Sequence, residues 1–137
     1  MALARNARLN LMGTRDDQIL SFPVKAAVHI FTGAMVGLDA ATGLARPLVA
    51  GDAFAGIAMH EADNSAGANG AKTITLSGSC LAEMPLAGVA QTDAGVALYA
   101  SDDGALTKTS TANSLVGRII RPSGVSGIAH VRLITAL

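Results

Sequence analysis

The sequence predicts a mainly β protein, a small barrel or sandwich built from two related strand–turn–strand units behind an extended N-terminal arm. Three observations indicate this class. A glycine-marked apolar segment occurs twice at a nearly constant offset, short stretches alternate apolar and polar residues, and turn residues recur about every 8 to 15 positions. Strands separated by turns at that rhythm are typical of barrels and sandwiches.

The first observation is a repeat that runs through most of the chain. Each copy has a short apolar strand, an Asp-Gly or Thr-Gly turn, a polar strand, a loop and an apolar strand around a glycine. Equivalent glycines lie 62, 61 and 61 residues apart, namely Gly33 and Gly95, Gly43 and Gly104, and Gly56 and Gly117. Glycine supplies the positive φ that tight turns need. We therefore expect pseudo-repeats over about 25–85 and 86–137 within one β domain, 25–137.

Alternation of apolar and polar residues places the individual strands. It is clearest in Lys72–Ser77 and His130–Thr135, where successive side chains point to opposite faces. Turn sequences such as Asn69-Gly70 and Asp102-Asp103-Gly104 separate the strands. The expected strands are 25–31, 34–39, 44–49, 54–60, 72–77, 80–84, 96–100, 105–109, 115–121 and 128–135. A short helix within 86–93 or 110–114 is an alternative for those segments.

Residues 1–24 differ from the rest in composition, and we expect them to form the arm. The segment mixes arginines with irregularly spaced apolar residues and ends at a proline: Leu3, Arg5, Arg8, Leu9, Leu11, Arg15 and Pro23. A helix over 2–12, ended by Gly13, and a frayed terminus are the alternatives. The apolar residues favour an arm that buries itself against another surface.

Composition argues against several classes of function. Ten basic and ten acidic residues cancel, so no net charge attracts nucleic acid or an anionic membrane. No stretch reaches the roughly 18 apolar residues of a membrane helix, and charged residues interrupt the N-terminus where a signal peptide would be apolar. We expect synthesis in a cytoplasm. Aromatic residues make up only 3%, so the core is made of small side chains and would gain stability from association.

No group of reactive residues suggests an enzyme or a cofactor. Gly67–Thr73 looks like a phosphate loop, but Ala71 separates its glycine from the lysine and an alternating strand follows where a helix is needed. His60, Glu61 and Asp63 lie close together in sequence, yet a metal site needs further ligands, and a solvated loop accounts for them. No serine lies in the elbow of a hydrolase.

Several single residues have structural explanations. Cys80 lies in an apolar stretch and is expected to be a buried thiol. Tyr99, the lone tyrosine, is expected to anchor the core of the second copy. Arg118, Arg121 and Arg132 can cluster on two neighbouring strands, where either solvent or the acidic surface of a partner would face them.

Short motifs in both copies resemble a known family. The first copy contains Val36-Gly37-Leu38-Asp39, Gly43-Leu44, Phe54-Ala55-Gly56-Ile57-Ala58-Met59 and Thr73-Ile74-Thr75-Leu76-Ser77-Gly78. This series resembles the lambda-type small head decoration proteins, or capsid cement proteins, of tailed bacteriophages. The second copy, Gly95–Tyr99 through Ser114–Ile120, is similar to a related family of phage cement proteins. The resemblance covers roughly residues 25–135 and consists of strand and turn patterns.

The resemblance implies a β protein on the outer capsid surface of a virion, where it binds the major capsid protein of an expanded head and staples neighbouring capsomers. In such proteins an N-terminal arm commonly meets the shell. The candidate capsid-binding residues are therefore those of the arm, Leu3, Arg5, Arg8, Leu9, Leu11 and Arg15. Such proteins are often homotrimers, although the duplication departs from the lambda pattern and leaves trimer, dimer and monomer open.

A ligand- or carbohydrate-binding β-barrel module on a virion or cell surface is the alternative function. Such modules usually stack sugars on exposed aromatic rings. This chain has three Phe, one Tyr and no Trp, so the scarcity of rings favours the decoration protein.

Overall fold

A computed structural model describes residues 2–6 and 19–137, and the backbone of residues 11–14. It confirms the prediction of a mainly β chain, with a sheet curled into half a barrel and no α-helix among the described residues. The strands are β1 (Leu11–Thr14), β2 (Ile19–Pro23), β3 (Val28–Ile30), β4 (Met35–Leu38), β5 (Ala45–Pro47), β6 (Ala53–Ala58), β7 (Ala62–Asn64), β8 (Thr73–Ser77), β9 (Ser79–Pro85), β10 (Ala97–Ala100), β11 (Leu106–Thr107), β12 (Ser114–Pro122) and β13 (Ile128–Ile134). A 3-10 turn, Gln91–Asp93, lies in one of the two segments where a short helix was an alternative.

These strands form three antiparallel sheets in the described part of the chain. The first has the order β1-β9-β13-β12-β10-β11, the second the order β2-β8-β6-β4-β5, and β3 and β7 form a two-stranded third. All ten expected strands are present with shifted ends, as β3 to β6 and β8 to β13. The sequence did not predict β1, β2 and β7.

The repeat in the sequence is a repeat of strand register. Val36 lies opposite Gly56 in the β4–β6 pair, and Leu98 lies opposite Gly117 in the β10–β12 pair. In both pairs the register shifts directly after that position. The third strands match as well, because β5 pairs with β4 in the register in which β11 pairs with β10. The repeat therefore reflects two copies of one β unit.

The repeat also includes β2, which lies in the range expected to be arm. β2 pairs with β8 in the register in which residues 81–85 of β9 pair with β13, so Ile19 and Leu81 are equivalent. The first unit thus spans 19–77 and the second 79–134, ahead of the expected starts at residues 25 and 86. β1 also falls within residues 1–24, and its backbone pairs with β9. β2 escaped the sequence analysis because it is a short, partly exposed edge strand whose pattern is set by its neighbour.

Each unit has two faces, which we call inner and outer. The inner face of the first unit carries the buried side chains Val36, Ala55, Ala58, Ile74 and Leu76. The equivalent positions of the second unit hold Leu98, Val116, Ile119, Ala129 and Val131. Alternation along each strand sends the intervening residues to the outer face. Ile30 of β3 and Ala62 of β7 belong to the first unit's inner cluster, so the two-stranded sheet closes that face.

The two units stack, with the outer face of the first on the inner face of the second. Met35, Phe54 and Ile57 point away from the first unit's own cluster and pack into the cluster of the second unit. Phe54 is only 1% exposed. Hydrogen bonds across the junction join Met35 N–H to the Asp103 carbonyl at 2.9 Å, Gly51 N–H to Ser114 Oγ at 3.0 Å and Ala136 N–H to the Phe54 carbonyl at 2.8 Å. The units therefore share one core.

Candidate interaction surface

The residues expected to form a capsid-binding arm are not brought together on one exposed surface in the described part of the chain. The Leu3 N–H donates to Asp103 Oδ1 at 2.9 Å, and its side chain packs against the inner cluster of the first unit. Arg5 is exposed, and Leu11 lies in β1 opposite Ala82. Arg8, Leu9 and Arg15 lie outside the described residues.

Asn6 attaches the first residues to the body as well. Its Oδ1 accepts a hydrogen bond from the Thr32 N–H at 3.0 Å, and its Nδ2 donates to a Glu61 carboxylate oxygen. Residues 2–6 therefore contact both units, through the Leu3 N–H to Asp103 of the second and through Asn6 to Thr32 and Glu61 of the first.

The acidic and histidine residues at 60–63 serve the local structure. The Thr75 N–H donates to His60 Nε2 at 3.0 Å. Glu61 and Asp63 approach different ring nitrogens of His29, at 3.0 and 4.0 Å, so they do not converge on one point. Hydrogen bonds from Asn6 and then His29 lower the pKa of Glu61. No cluster of three or more His, Cys, Asp or Glu side chains suited to a metal ion occurs among the described residues.

Residues 62–64, expected in a solvated loop, instead form β7 opposite β3. The buried Asn64 explains how this short strand and the following loop are held. Its Nδ2 donates to the carbonyls of Lys25 and Ala68, each at 2.9 Å. A three-residue strand of this kind is specified by its partners rather than by its own sequence, so periodicity could not reveal it.

The principal charged cluster of the first unit is also structural. Arg46 donates two hydrogen bonds to Asp52, at 2.7 and 3.0 Å, and Lys25 Nζ lies 2.6 Å from Asp39 Oδ2. The hydrogen bond from Lys25, followed by one from the Ala41 N–H, lowers the pKa of Asp39 to about 2. These contacts join β5 to the residue before β6 and the β4–β5 turn to Lys25.

Cys80 is buried, as expected from its apolar surroundings. Burial raises the pKa of its thiol to about 11. A thiol with so little thiolate at neutral pH is a poor nucleophile.

The outer face of the second unit differs from all of these because large apolar side chains are exposed on it. Leu115 is 56% exposed and Ile134 is 45% exposed. A shallow groove of about 420 Å³ is bordered by Ala97, Tyr99, Leu115, Arg118, Ile134 and Ala136. Tyr99, expected in the core, is half-buried on this groove instead. Its place in the first unit is occupied by Gly37, against which Asp52 packs, so the expectation failed because the two outer faces are covered differently.

Two arginines stand beside the apolar part of this face. Arg118 of β12 lies directly opposite Arg132 of β13, and both side chains are exposed. Arg118 donates to the Gly95 carbonyl at 2.9 Å. No carboxylate in the described residues forms a salt bridge with either arginine, and like charges directly opposite each other destabilise a sheet. Arg121, on the same strand, lies opposite His130.

Sequence reasoning missed Leu115 and Ile134 as surface residues. The repeat does align Leu115 with Phe54 at the offset of 61 residues, which indicates that the two side chains share one strand position. Whether such a position is buried depends on what covers it, which the sequence of one unit does not state.

Among the described residues, no helix has the length and apolar character that a membrane crossing requires. A scan against protein-family models found no match to this chain, and searches of curated proteins and of solved structures found none either.

Proposed function

We propose that this chain is a capsid decoration, or cement, protein that binds the outer surface of an expanded bacteriophage head and stabilises contacts between capsomers. The observation that carries the proposal is the uncovered outer face of the second unit. There, exposed Leu115 and Ile134 lie beside Arg118 and Arg132, while Phe54 and Ile57, the first unit's equivalents of Leu115 and Arg118, are buried. A contiguous exposed apolar patch is typical of a binding surface.

The motifs that resemble the phage decoration proteins support the same function. Val36–Asp39, Phe54–Met59 and Thr73–Gly78 lie on or directly beside β4, β6 and β8. These three strands are consecutive neighbours in the five-stranded sheet. The resemblance therefore falls on one continuous piece of structure rather than on scattered loops.

The proposed role is compatible with a modest contact per molecule. A symmetric shell offers many identical sites, and a protein that bridges two capsomers gains from holding both at once. We propose the major capsid protein as the partner and a homotrimer as the form that binds at three-fold positions, since closed symmetry allows each copy to make the same contact.

Binding to shells tests the proposal. Expanded shells of the phage that encodes the chain, prepared without this protein, would be mixed with it and sedimented. We expect saturable binding with a fixed number of copies per shell and an increase in the temperature at which the shell ruptures. Unexpanded shells serve as the control and should bind fewer copies. The absence of binding to expanded shells at micromolar protein would contradict the function.

One observation favours a second function, a carbohydrate-binding module. Tyr99 is half-buried on the groove beside Arg118, so its ring is available to stack on a sugar. A glycan array would separate the two functions. Specific glycan binding that is lost in Tyr99→Ala would favour the module, whereas shell binding retained in Tyr99→Ala with no glycan binding would favour the decoration protein.

A further inference from the structure

We infer that the outer face of the second unit docks on a protein surface that has an apolar centre bordered by carboxylates. The inference rests on the proposed function, in which that surface belongs to the capsid shell. It names the part of this chain that makes the contact, and it differs from the expectation that residues of the N-terminal arm do so.

The first step is the equivalence of the two outer faces. Ala97, Leu115 and Arg118 of the second unit occupy the positions of Met35, Phe54 and Ile57 in the first. In the first unit these positions are buried against a β surface, the inner face of the second unit. The fold therefore already uses this face as a contact surface once, and the second occurrence is left without a cover among the described residues.

The second step is the chemistry of the uncovered face. Leu115 and Ile134 retain its apolar character, but Arg118 replaces Ile57 and stands opposite Arg132. Two guanidinium groups without a carboxylate partner favour an occupant that supplies negative charge at the edge of an apolar contact. An arginine fork binds carboxylates with two hydrogen bonds, which would fix the orientation of the docked surface.

The third step decides between a different protein and a second copy of this chain. A two-fold pairing through this face would bring the patch against itself, with two arginines from each copy, while Glu83, a carboxylate on the same face, is already hydrogen-bonded to His130 at 3.1 Å. The inner faces of both units are already filled, so a second copy cannot repeat the contact that joins the units. Both considerations favour a different protein, rather than a second copy of this chain, as the molecule that docks on this face.

The segment 2–6 is less suited to docking on a partner protein than the outer face of the second unit. Leu3 packs against its own first unit, and Asn6 has its amide hydrogen-bonded to Thr32 and Glu61. Exposed Arg5 is the cation of this segment that can be changed without breaking a described contact, which makes it a matched control for Arg132.

The test uses the full-length chain and expanded shells of the phage that encodes it. One variant combines Leu115→Ser with Ile134→Ser, and a second carries Arg132→Glu. The matched controls are Val125→Ser and Arg5→Glu. Val125 is an apolar residue that is 66% exposed in the turn between β12 and β13. Thermal unfolding of each variant shows whether it is folded. Arg132→Glu should fold well, because the new carboxylate lies opposite Arg118.

We expect the double serine variant to bind shells about tenfold or more weakly, as removal of central apolar contacts does. Arg132→Glu should bind more weakly and lose the salt dependence that the wild-type protein shows between roughly 50 and 300 mM NaCl. Both controls should bind like the wild-type protein. This pattern supports the inference.

Three outcomes would overturn it. Wild-type occupancy by the double serine and Arg132→Glu variants would exclude the face, and loss of binding in Arg5→Glu alone would return the contact to the arm. A change in oligomeric state by sedimentation, with shell affinity per copy unchanged, would show that the face joins copies of this chain. Failure of the wild-type protein to bind shells is a separate result, which removes the proposed function and the inference with it.

Discussion

The two units have the same strand register and opposite surroundings. Phe54 and Leu115 occupy equivalent positions in that register, yet one is 1% exposed and the other is 56% exposed. The difference comes from stacking, because the second unit covers the first unit's outer face around Phe54, and no described residue covers the second unit's outer face around Leu115. Backbone equivalence thus fixes where a side chain points, and the neighbouring layer fixes whether it is buried.

The units also differ in how their inner faces are closed. Between β6 and β8 the first unit has a long connection that contains β7, which pairs with β3. Between β12 and β13 the second unit has only a short turn, residues 123–127. The first unit closes its inner face with its own insertion, and the second relies on the first unit for the same purpose.

Substitution of the equivalent residues Phe54 and Leu115 by alanine should show the largest contrast. Phe54→Ala should lower the free energy of unfolding by about 3–5 kcal/mol, since it leaves a cavity between the two units. Leu115→Ala should change it by about 0.5 kcal/mol or less, because the side chain is mostly exposed. Urea denaturation measures both. Equal losses for the two variants would mean that the outer faces are buried alike.

Substitution of the glycines at the two register shifts should instead lower the free energy of unfolding in both units. Gly56 has a φ of +155°, and a Cβ there would lie 2.6 Å from the Ser77 carbonyl oxygen. A Cβ on Gly117 would collide with the carbonyl oxygen of Arg132, the residue equivalent to Ser77. Each Gly→Ala change should cost about 1–3 kcal/mol or more, with Gly117→Ala the larger.

Gly88→Ala provides the control for the glycine variants. Its φ is +70° but open space surrounds the site, so only backbone strain of about 1 kcal/mol is expected. If Gly56→Ala or Gly117→Ala cost no more than this control, close approach of the neighbouring strand would not be the reason for glycine in both units.

The smallest expected effect concerns pH and the charged cluster that only the first unit has. Asp39 has its pKa lowered to about 2 from 3.8, chiefly by the hydrogen bond from Lys25. A lowered pKa in the folded state contributes stability that is complete above about pH 4 and is lost as the pH falls through about 2. The stability difference between wild-type protein and Asp39→Asn should therefore shrink between pH 4 and pH 2.

Ser101, which stands 62 residues after Asp39, supplies the control because its side chain does not titrate over this range. Chemical denaturation at several pH values would follow both variants. A difference between wild-type protein and Asp39→Asn that stays constant from pH 5 to pH 2 would contradict the assignment, as would a pH-dependent difference for Ser101→Ala.

Much of the fold could be predicted from the sequence, and for a definite reason. One repeated pair of glycines, Gly56 and Gly117, lies where strands approach closely, so its spacing reports the register directly, whereas Gly43 and Gly95 have positive φ and open space around them. β2 and β7 were not predicted because a half-exposed edge strand and a three-residue strand have little pattern of their own. Their positions are determined by β8 and β3, which are distant in sequence.

The candidate interaction surface was harder to predict than the fold. The sequence predicts a core position for Tyr99 because apolar side chains at strand positions are usually buried, and it gives no sign that Leu115 is exposed. Their exposure follows from the order in which two similar units are layered, which local pattern does not encode. The role of the arm residues Leu3, Arg5, Arg8, Leu9, Leu11 and Arg15 stays a prediction that the shell-binding experiment addresses.

The two-stranded sheet of β3 and β7 has a consequence for assembly. Repeated modules that stack face to back can in principle polymerise without limit, as solenoids would without terminal caps. Here the two-stranded sheet covers the inner face of the first unit, so the outer face of another chain's second unit cannot dock there. Growth of fibres by this route is therefore blocked at two layers.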